Sequence, residues 1–405
     1  MLPTRVHNFR STPAGLAFAA VAALAAVDLG GCSDPPGAVG DAGSPGAGSD
    51  GGPGSVTAAG RLRISGGKIV DAHGTAVRLT GVNWFGLETN TYAPHGLAQR
   101  SMTSLLDQIK TLGFNVIRVP FSSQLFDAGS TPSGIDTTKN PELAGKTGPE
   151  ILDLLISHAG ERGLRIILDR HRPDSGAQSA LWYTPAYSED RWIKDWVALA
   201  SRYKANPTVV AFDLHNEPHS PATWGDGSMT NDWRLAAQRA GNAILAVDPD
   251  ALLIVEGIDV IDKNFYWQGG NLRGAKTAPI QLSAADHVIY SPHDYPATIF
   301  PQPWFSAADY PNNLAPLWDA TWGYLAETAP VLVGEFGTKL QTDSDRKWIG
   351  KLTGYINDHQ LSFTFWTLNP DSGDTGGILA DDWTTVNQDK MAFLTPLLGP
   401  LLPVQ

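Results

Sequence analysis

The feature that most constrains this chain is an eightfold alternation of short apolar runs and amphipathic stretches, from about residue 61 to the end. The runs are 77–84, 114–120, 164–171, 209–218, 252–257, 287–295, 331–337 and 363–370. Each is short, rich in β-branched and aromatic residues and without helical period, so each predicts a buried strand. Between most of them the apolar residues recur at helical spacing. Leu105, Leu106 and Ile109 share one face of 101–112, and Ile151, Leu154 and Leu155 one face of 149–161. The stretches 189–203, 232–247, 313–327 and 343–357 follow suit. No helix is predicted after the fifth run, where Gly, Asn and aromatic residues dominate. Eight strands with mostly helical crossovers predict an α/β fold, a single (β/α)8 barrel. An open doubly wound sheet is the alternative. No Gly-x-Gly-x-x-Gly follows a strand, which argues against its dinucleotide-binding form. Residues 61–70, followed by Asp71-Ala72-His73-Gly74, predict a small hairpin with a tight turn that closes the barrel's bottom.

Every predicted strand turns polar at its C-terminal end. The groups are Asn83-Trp84, Arg118, Asp169-Arg170-His171, His215-Asn216-Glu217, Glu256, His293-Asp294-Tyr295, Glu335 and Trp366 with Asn369. One polar strand end is unremarkable, because strands must stop. Eight of them, all able to bind or to move protons, mark the rim where barrel enzymes keep their sites.

Glu217 and Glu335, on strands four and seven, would face each other across the mouth. Cleaving a glycosidic bond needs one carboxylic acid for the leaving oxygen and a second carboxylate for the forming oxocarbenium centre. Arg118 could orient one of the two, and Tyr295 could donate to the nucleophile. His171, His293 and Asn216 could hold sugar hydroxyls, with Trp366 as a floor. Asp169, Asp213 and Asp294 fit as partners of Arg and His. Trp182, Trp267 and Trp304 fall in loops and suit sugar platforms, whereas Trp192, Trp196, Trp233, Trp318, Trp322 and Trp348 fall in helical patterns and suit the core. A metal site from His171, His215, His293, Asp169 and the two glutamates is the competing reading. It has neither a His-x-His pair nor a His-Glu-x-x-His, and Arg118 would repel a cation. A serine nucleophile has no Gly-x-Ser-x-Gly to sit in. No metal and no cofactor are expected.

Composition limits the partners. The net charge of −12, with no basic run, disfavours nucleic acid and anionic membrane surfaces. Arg5 and Arg10, the apolar run 14–27 and Leu29-Gly30-Gly31-Cys32 predict an export signal over 1–32 ending in a lipobox, with Cys32 lipidated. Cys32 is the single cysteine, so no intrachain disulfide is available. Residues 33–60, nearly all Gly, Ala, Pro, Ser and Asp, predict a flexible tether, and 61–405 the catalytic domain. The product would be a monomeric cell-surface lipoprotein or secreted protein, touching the membrane only through that anchor.

Asn216-Glu217-Pro218 together with Gly334-Glu335-Phe336-Gly337 resembles glycoside hydrolase family 5. The runs 168–173, 213–218, 232–237 and 369–377 look like its bacterial endoglucanases, close to the Acidothermus endocellulase type. The resemblance covers essentially all of 61–405. It implies a retaining endo-β-1,4-glucanase acting on β-glucan, with Glu217 as acid/base and Glu335 as nucleophile. It implies that Arg118, His171, Asn216, His293, Tyr295 and Trp366 line the cleavage site, and that Trp84 and Gln302 contact neighbouring sugars. Ser175, Thr223 and Asp226 stand where that type carries disulfide cysteines, and Gln268 where it carries a sugar-stacking tryptophan. No carbohydrate-binding module is seen, so weak attack on crystalline cellulose is expected. A β-mannanase or mixed-linkage glucanase of the same family stays open, as does a non-catalytic glucan-binding surface protein.

Overall fold

Eight parallel strands run in the order of the chain around a barrel in the computed structural model, which describes residues 60–402. The export signal, Cys32 and the tether up to residue 59 lie outside the described residues. The barrel strands are Thr80–Asn83, Val116–Ser122, Arg165–Arg172, Val209–Asp213, Leu253–Glu256, Val288–Ser291, Leu332–Val333 and Ser362–Phe365. The eighth pairs with the first, Phe363 opposite Thr80. Between the sixth and seventh the ladder gives way to isolated bridges, Tyr290 with Val331 and His293 with Glu335. Pro292 interrupts it there, since proline has no N–H to give. The ring is closed by Tyr290 N–H to Pro330 O at 3.0 Å, Gly334 N–H to Pro292 O at 3.1 Å and Asp294 N–H to Glu335 O at 3.1 Å.

Helices Met102–Thr111, Gly148–Glu161, Glu189–Tyr203, Trp233–Val247, Leu314–Thr321 and Asp343–Asp358 cover the outside, as their apolar spacing predicts. Most start on a side-chain cap. Thr147 and Glu150 form a reciprocal capping box, and Ser101, Ser188, Asp232 and Thr342 each accept from a first-turn amide. The stretch 313–327 is not one helix. It breaks into Leu314–Thr321 and a tighter turn, Gly323–Glu327, because Gly323 must pass close under Tyr355; a Cβ there would meet its Oη at 2.0 Å. A short helix after the eighth strand, Gln388–Leu394, was not predicted. After the fifth strand comes a hairpin, Val260–Ile261 with Asn264–Phe265, turning on Asp262 and Lys263 at φ 50 and 65. No helix among the described residues is long and apolar enough to cross a membrane.

The two-residue alternation of the strands decides what each layer contains. Ile117, Ile166, Leu168, Phe212, Leu253 and Val255 belong to the large apolar cluster shared with the helices. Val116, Ile167, Ala211, Ile254 and Ile289 form a separate cluster inside the barrel, together with Leu62, Ile64 and Ile69 of the N-terminal hairpin. That hairpin, Arg63–Ser65 with Lys68–Val70, plugs the bottom as expected. Its tight turn is Gly66-Gly67 at φ 56 and 73, not 71–74, which makes a second turn closed by Gly74 N–H to Asp71 O. Two residues beyond Val116, Ile167, Ala211 and Ile254, in step with the pleat, come Arg118, Asp169, Asp213 and Glu256, and two beyond Ile289 comes Ser291. The barrel interior therefore changes from apolar to charged in a single layer.

Candidate active site

Arg118 is the hub of that layer, fully buried on the second strand. Its Nε donates to Asp213 at 2.8 Å and its Nη1 to Glu335 at 2.6 Å. Its Nη2 donates to Glu256 at 3.1 Å and to the side-chain oxygen of Asn216 at 3.0 Å. Asp169 lies 3.2 Å away. One guanidinium thus faces four carboxyl groups. Burial pushes Asp169 and Asp213 each up to about 7, against the pull of Arg118. Glu256 is pushed well up by burial and then by Asp213. Both aspartates are the partners of basic groups that their positions predicted. Asp294 is not. It accepts from Tyr266, Trp318 and Trp348 in an aromatic cage.

Glu335 and Glu217 stand above this layer. Each is nearly buried, at 4% and 7% exposure. One oxygen of each and a nitrogen of His293 lie within 4.8 Å of one another. Glu335 accepts from Arg118 and from the Tyr295 hydroxyl, the latter at 2.8 Å. Glu217 accepts from Trp267 Nε1 at 2.8 Å, Gln178 Nε2 at 3.0 Å and His293 Nδ1 at 2.9 Å. Burial raises both carboxyl groups. His293 and Arg118 oppose the rise at Glu335, and hydrogen bonds from Gln178 and Trp267 oppose it at Glu217. The difference is the ion pair. Arg118 touches Glu335 and does not touch Glu217, so a single proton shared between the two settles on Glu217. Glu217 also holds a left-handed backbone, φ 49. A non-glycine residue there is strained, and the neighbouring contacts must hold it.

The histidines are neutral props. Burial lowers His171 to about 4 and His293 to about 3. His171 Nδ1 donates to Asp169 at 2.6 Å, and its ring stacks flat beneath Trp366, centroids 5.3 Å apart. Phe85 stacks against the same indole at 5.6 Å. A cavity of about 340 Å³ opens here, lined by Phe85, Gln178, Trp267, Tyr295, Glu335 and Trp366 among others. A larger cavity of about 690 Å³, around the loop 125–149, carries only Asp127 and Lys146 as charged lining and no carboxyl pair.

Three sequence expectations need correction. Trp84 does not reach the cleft: it is 1% exposed and donates its indole N–H to the His95 carbonyl at 3.0 Å. Asn83 takes the inward position, bonded to Arg118, so its neighbour must point outward. Trp182 is no platform either, but is buried against Trp192 and Trp233. His293 is fully buried and bonded to Glu217, so it braces a glutamate rather than presenting itself to a sugar. Gln302 is half-buried before the turn Pro303–Ser306, and its expected partners are neighbouring sugars beyond the cavity of the glutamates. Trp267 does line it, while Trp304 stacks on Tyr266. Gln178 and Phe85 were missed, and Glu256 was noted only as a strand end.

A (β/α)8 barrel with two carboxyl groups this close at its C-terminal mouth, under an aromatic cleft, is a glycoside hydrolase. The family model for cellulase (glycosyl hydrolase family 5) matches residues 70–372. An endoglucanase of Paenibacillus polymyxa is 53% identical over 352 residues, covering 85% of this chain and 89% of that protein. The major extracellular endoglucanase of Xanthomonas campestris is 42% identical, over 82% of this chain and 70% of the other. The solved catalytic domain of the Xanthomonas campestris major endoglucanase superposes with a TM-score of 0.80 at 39% identity, covering 84% and 99% of the two chains. An endocellulase of Pyrococcus horikoshii, solved with cellotetraose, gives 0.79 at 39% identity over 84% and 98%. The chain belongs to glycosyl hydrolase family 5.

Proposed function

We propose that this enzyme is a retaining endo-β-1,4-glucanase with Glu217 as acid/base and Glu335 as nucleophile. The observation that carries the reading is the short separation of the two carboxyl groups, with oxygens within 4.8 Å. Retaining enzymes hold theirs about 5–5.5 Å apart, whereas inverting ones need about 6.5–9.5 Å to admit a water. In the first step Glu335 attacks the anomeric carbon while Glu217 gives its proton to the departing glycosidic oxygen. In the second, Glu217 takes a proton from water, the water oxygen bonds to the same carbon and the Glu335 ester breaks. Tyr295 and Arg118 steady the Glu335 charge between steps, and Trp366 gives the sugar a flat face.

The substrate assignment, a β-1,4-glucan, rests on the endoglucanase names of the relatives and on the cellotetraose complex of one of them. The test is the anomer first released from a cellooligosaccharide, read by proton NMR. The β-anomer is expected, and an α-anomer as first product would overturn the mechanism. Product release from a panel of cellulose, lichenan and mannan derivatives checks the substrate.

The same proposal divides the chain into an export signal at 1–32, a tether at 33–60 and the catalytic domain at 61–405. It places a diacylglyceryl anchor on Cys32. The support is the lone cysteine after the apolar run and before the Gly/Pro/Ser stretch. Cys32→Ser should free the enzyme or leave its precursor unprocessed. A mature, fully membrane-bound variant would rule the anchor out.

A further inference from the structure

Glu256 ends the fifth strand beneath Glu217, fully buried. Its Oε2 accepts the backbone N–H of Glu217 at 2.7 Å. Its Oε1 lies 3.4 Å from Nε2 of His293, a buried nitrogen with no hydrogen-bond partner. The other nitrogen of that ring is bonded to the Glu217 carboxyl group. Glu256 therefore reaches Glu217 twice, directly at its backbone and through an imidazole at its side chain. Room for this is kept by Gly269, at φ 70, where a Cβ would sit 2.4 Å from Oε2 of Glu256 and 3.2 Å from Cα of Glu217.

Taking Glu217 as the acid/base, we propose that Glu256 is its positioning residue, holding the left-handed backbone of Glu217 and keeping a proton between itself and His293 Nε2. The charge count supports the proton. Among the described residues Arg118 is the one cation facing Glu256, whereas Asp213, Asp169 and Glu335 surround that cation and Glu217 and Glu335 the ring. A buried site cannot keep all of these ionised, and burial drives Glu256 to the neutral form. Oε1 accepts from Arg118 Nη2 at 3.1 Å and, when protonated, can also donate to His293 Nε2. That fixes the other nitrogen as the N–H that points at Glu217. An ionised Glu256 would leave Nε2 facing a second acceptor.

The test separates acid catalysis from general damage. Two substrates are compared, a cellooligosaccharide, whose leaving group needs a proton, and 2,4-dinitrophenyl cellobioside, whose leaving group does not. Glu256→Ala should lower kcat/KM on the oligosaccharide by about a hundredfold and on the aryl glycoside by less than about tenfold. Glu256→Gln is neutral and of the same shape. It should lose less than about tenfold on the oligosaccharide and leave the alkaline limb of the pH profile within about half a unit of wild type. Equal losses on the two substrates, no loss in Glu256→Ala, or an alkaline limb moved by more than about one unit in Glu256→Gln would each overturn the proposal. If Glu256→Ala does not fold, the Glu256→Gln profile decides alone. Glu217→Ala serves as the control. If it fails to discriminate between the two substrates, the acid/base assignment falls. If it discriminates and Glu256→Ala does not, only the positioning role falls.

Discussion

Arg118 and Glu335 are joined at 2.6 Å, and the same guanidinium makes no hydrogen bond to Glu217. That asymmetry gives two chemically identical side chains different jobs. Glu335 has the shortest of the Arg118 contacts and a second donor in the Tyr295 hydroxyl, which favours its charged, attacking form over that of Glu217. Its counterpart, desolvated and without a cation of its own, keeps a proton to donate.

Glu335→Gln should therefore abolish turnover on every β-glucoside, because no other group within reach can form the ester. Glu217→Ala should spare the first step for 2,4-dinitrophenyl cellobioside and stall the second. Added azide should restore the second step and give a β-glycosyl azide, identified by NMR. An α-azide, or equal loss with good and poor leaving groups, would reverse the assignment of the two roles.

The alkaline limb of activity should report the Glu217 proton. Gln178 donates to its Oε2 and lowers its affinity for that proton. Gln178→Leu removes the donor, so the alkaline limb should move to higher pH. A shift to lower pH would mean that another group governs the limb. Comparing kcat/KM profiles of the two enzymes checks this.

Stability should depend on pH through the charged layer. Asp169 and Asp213 are raised from the ordinary 3.8 to about 7. Their folded forms bind protons more tightly than the unfolded chain. Their contribution is full below the unfolded value and is lost as pH rises towards about 7. His171 and His293, lowered from 6.5 to about 4 and about 3, act oppositely and lose their contribution as pH falls through that range. The melting temperature should therefore peak on the acid side of neutrality. Asp213→Asn cannot ionise, so calorimetry should find that this variant loses less stability than wild type between about pH 4 and about pH 7. A steeper fall than wild type would contradict the protonated layer.

Trp366 stacks with both Phe85 and His171 and lines the cavity. Trp366→Ala should cost about a hundredfold in turnover, since a sugar without its floor loses the attack geometry. Its melting temperature should change little by comparison, because the residue is not enclosed by the core. Unchanged turnover, measured with an unchanged melting temperature, would remove the platform role.

The barrel and its rim were legible in the sequence because strands announce themselves by period and must end in polar groups. Arg118, Asn216, Glu217, Tyr295, Glu335 and Trp366 all fall at such ends, and the structure brings them together. Trp84 misled because a residue at a strand end points inward or outward by parity, and Asn83 already held the inward place. Gln178 was invisible in an aperiodic loop. Glu256 was visible as a residue, but its contact with the backbone of Glu217 depends on a positive φ that no residue type signals there. The hairpin after the fifth strand was equally hidden, because Asp262 and Lys263 are not the glycines that usually mark such a turn.

The interruption at Pro292 has a thermal consequence. The staves on either side of it carry His293 and Glu335, and only short stretches of amide ladder knit them together. Local opening follows the least protected backbone. Heating should part the ring at this join before the helices melt. The amides of Asp294 and Gly334 would then exchange with deuterium early. The hydrolase would fall silent while most of its tryptophans still report a folded protein.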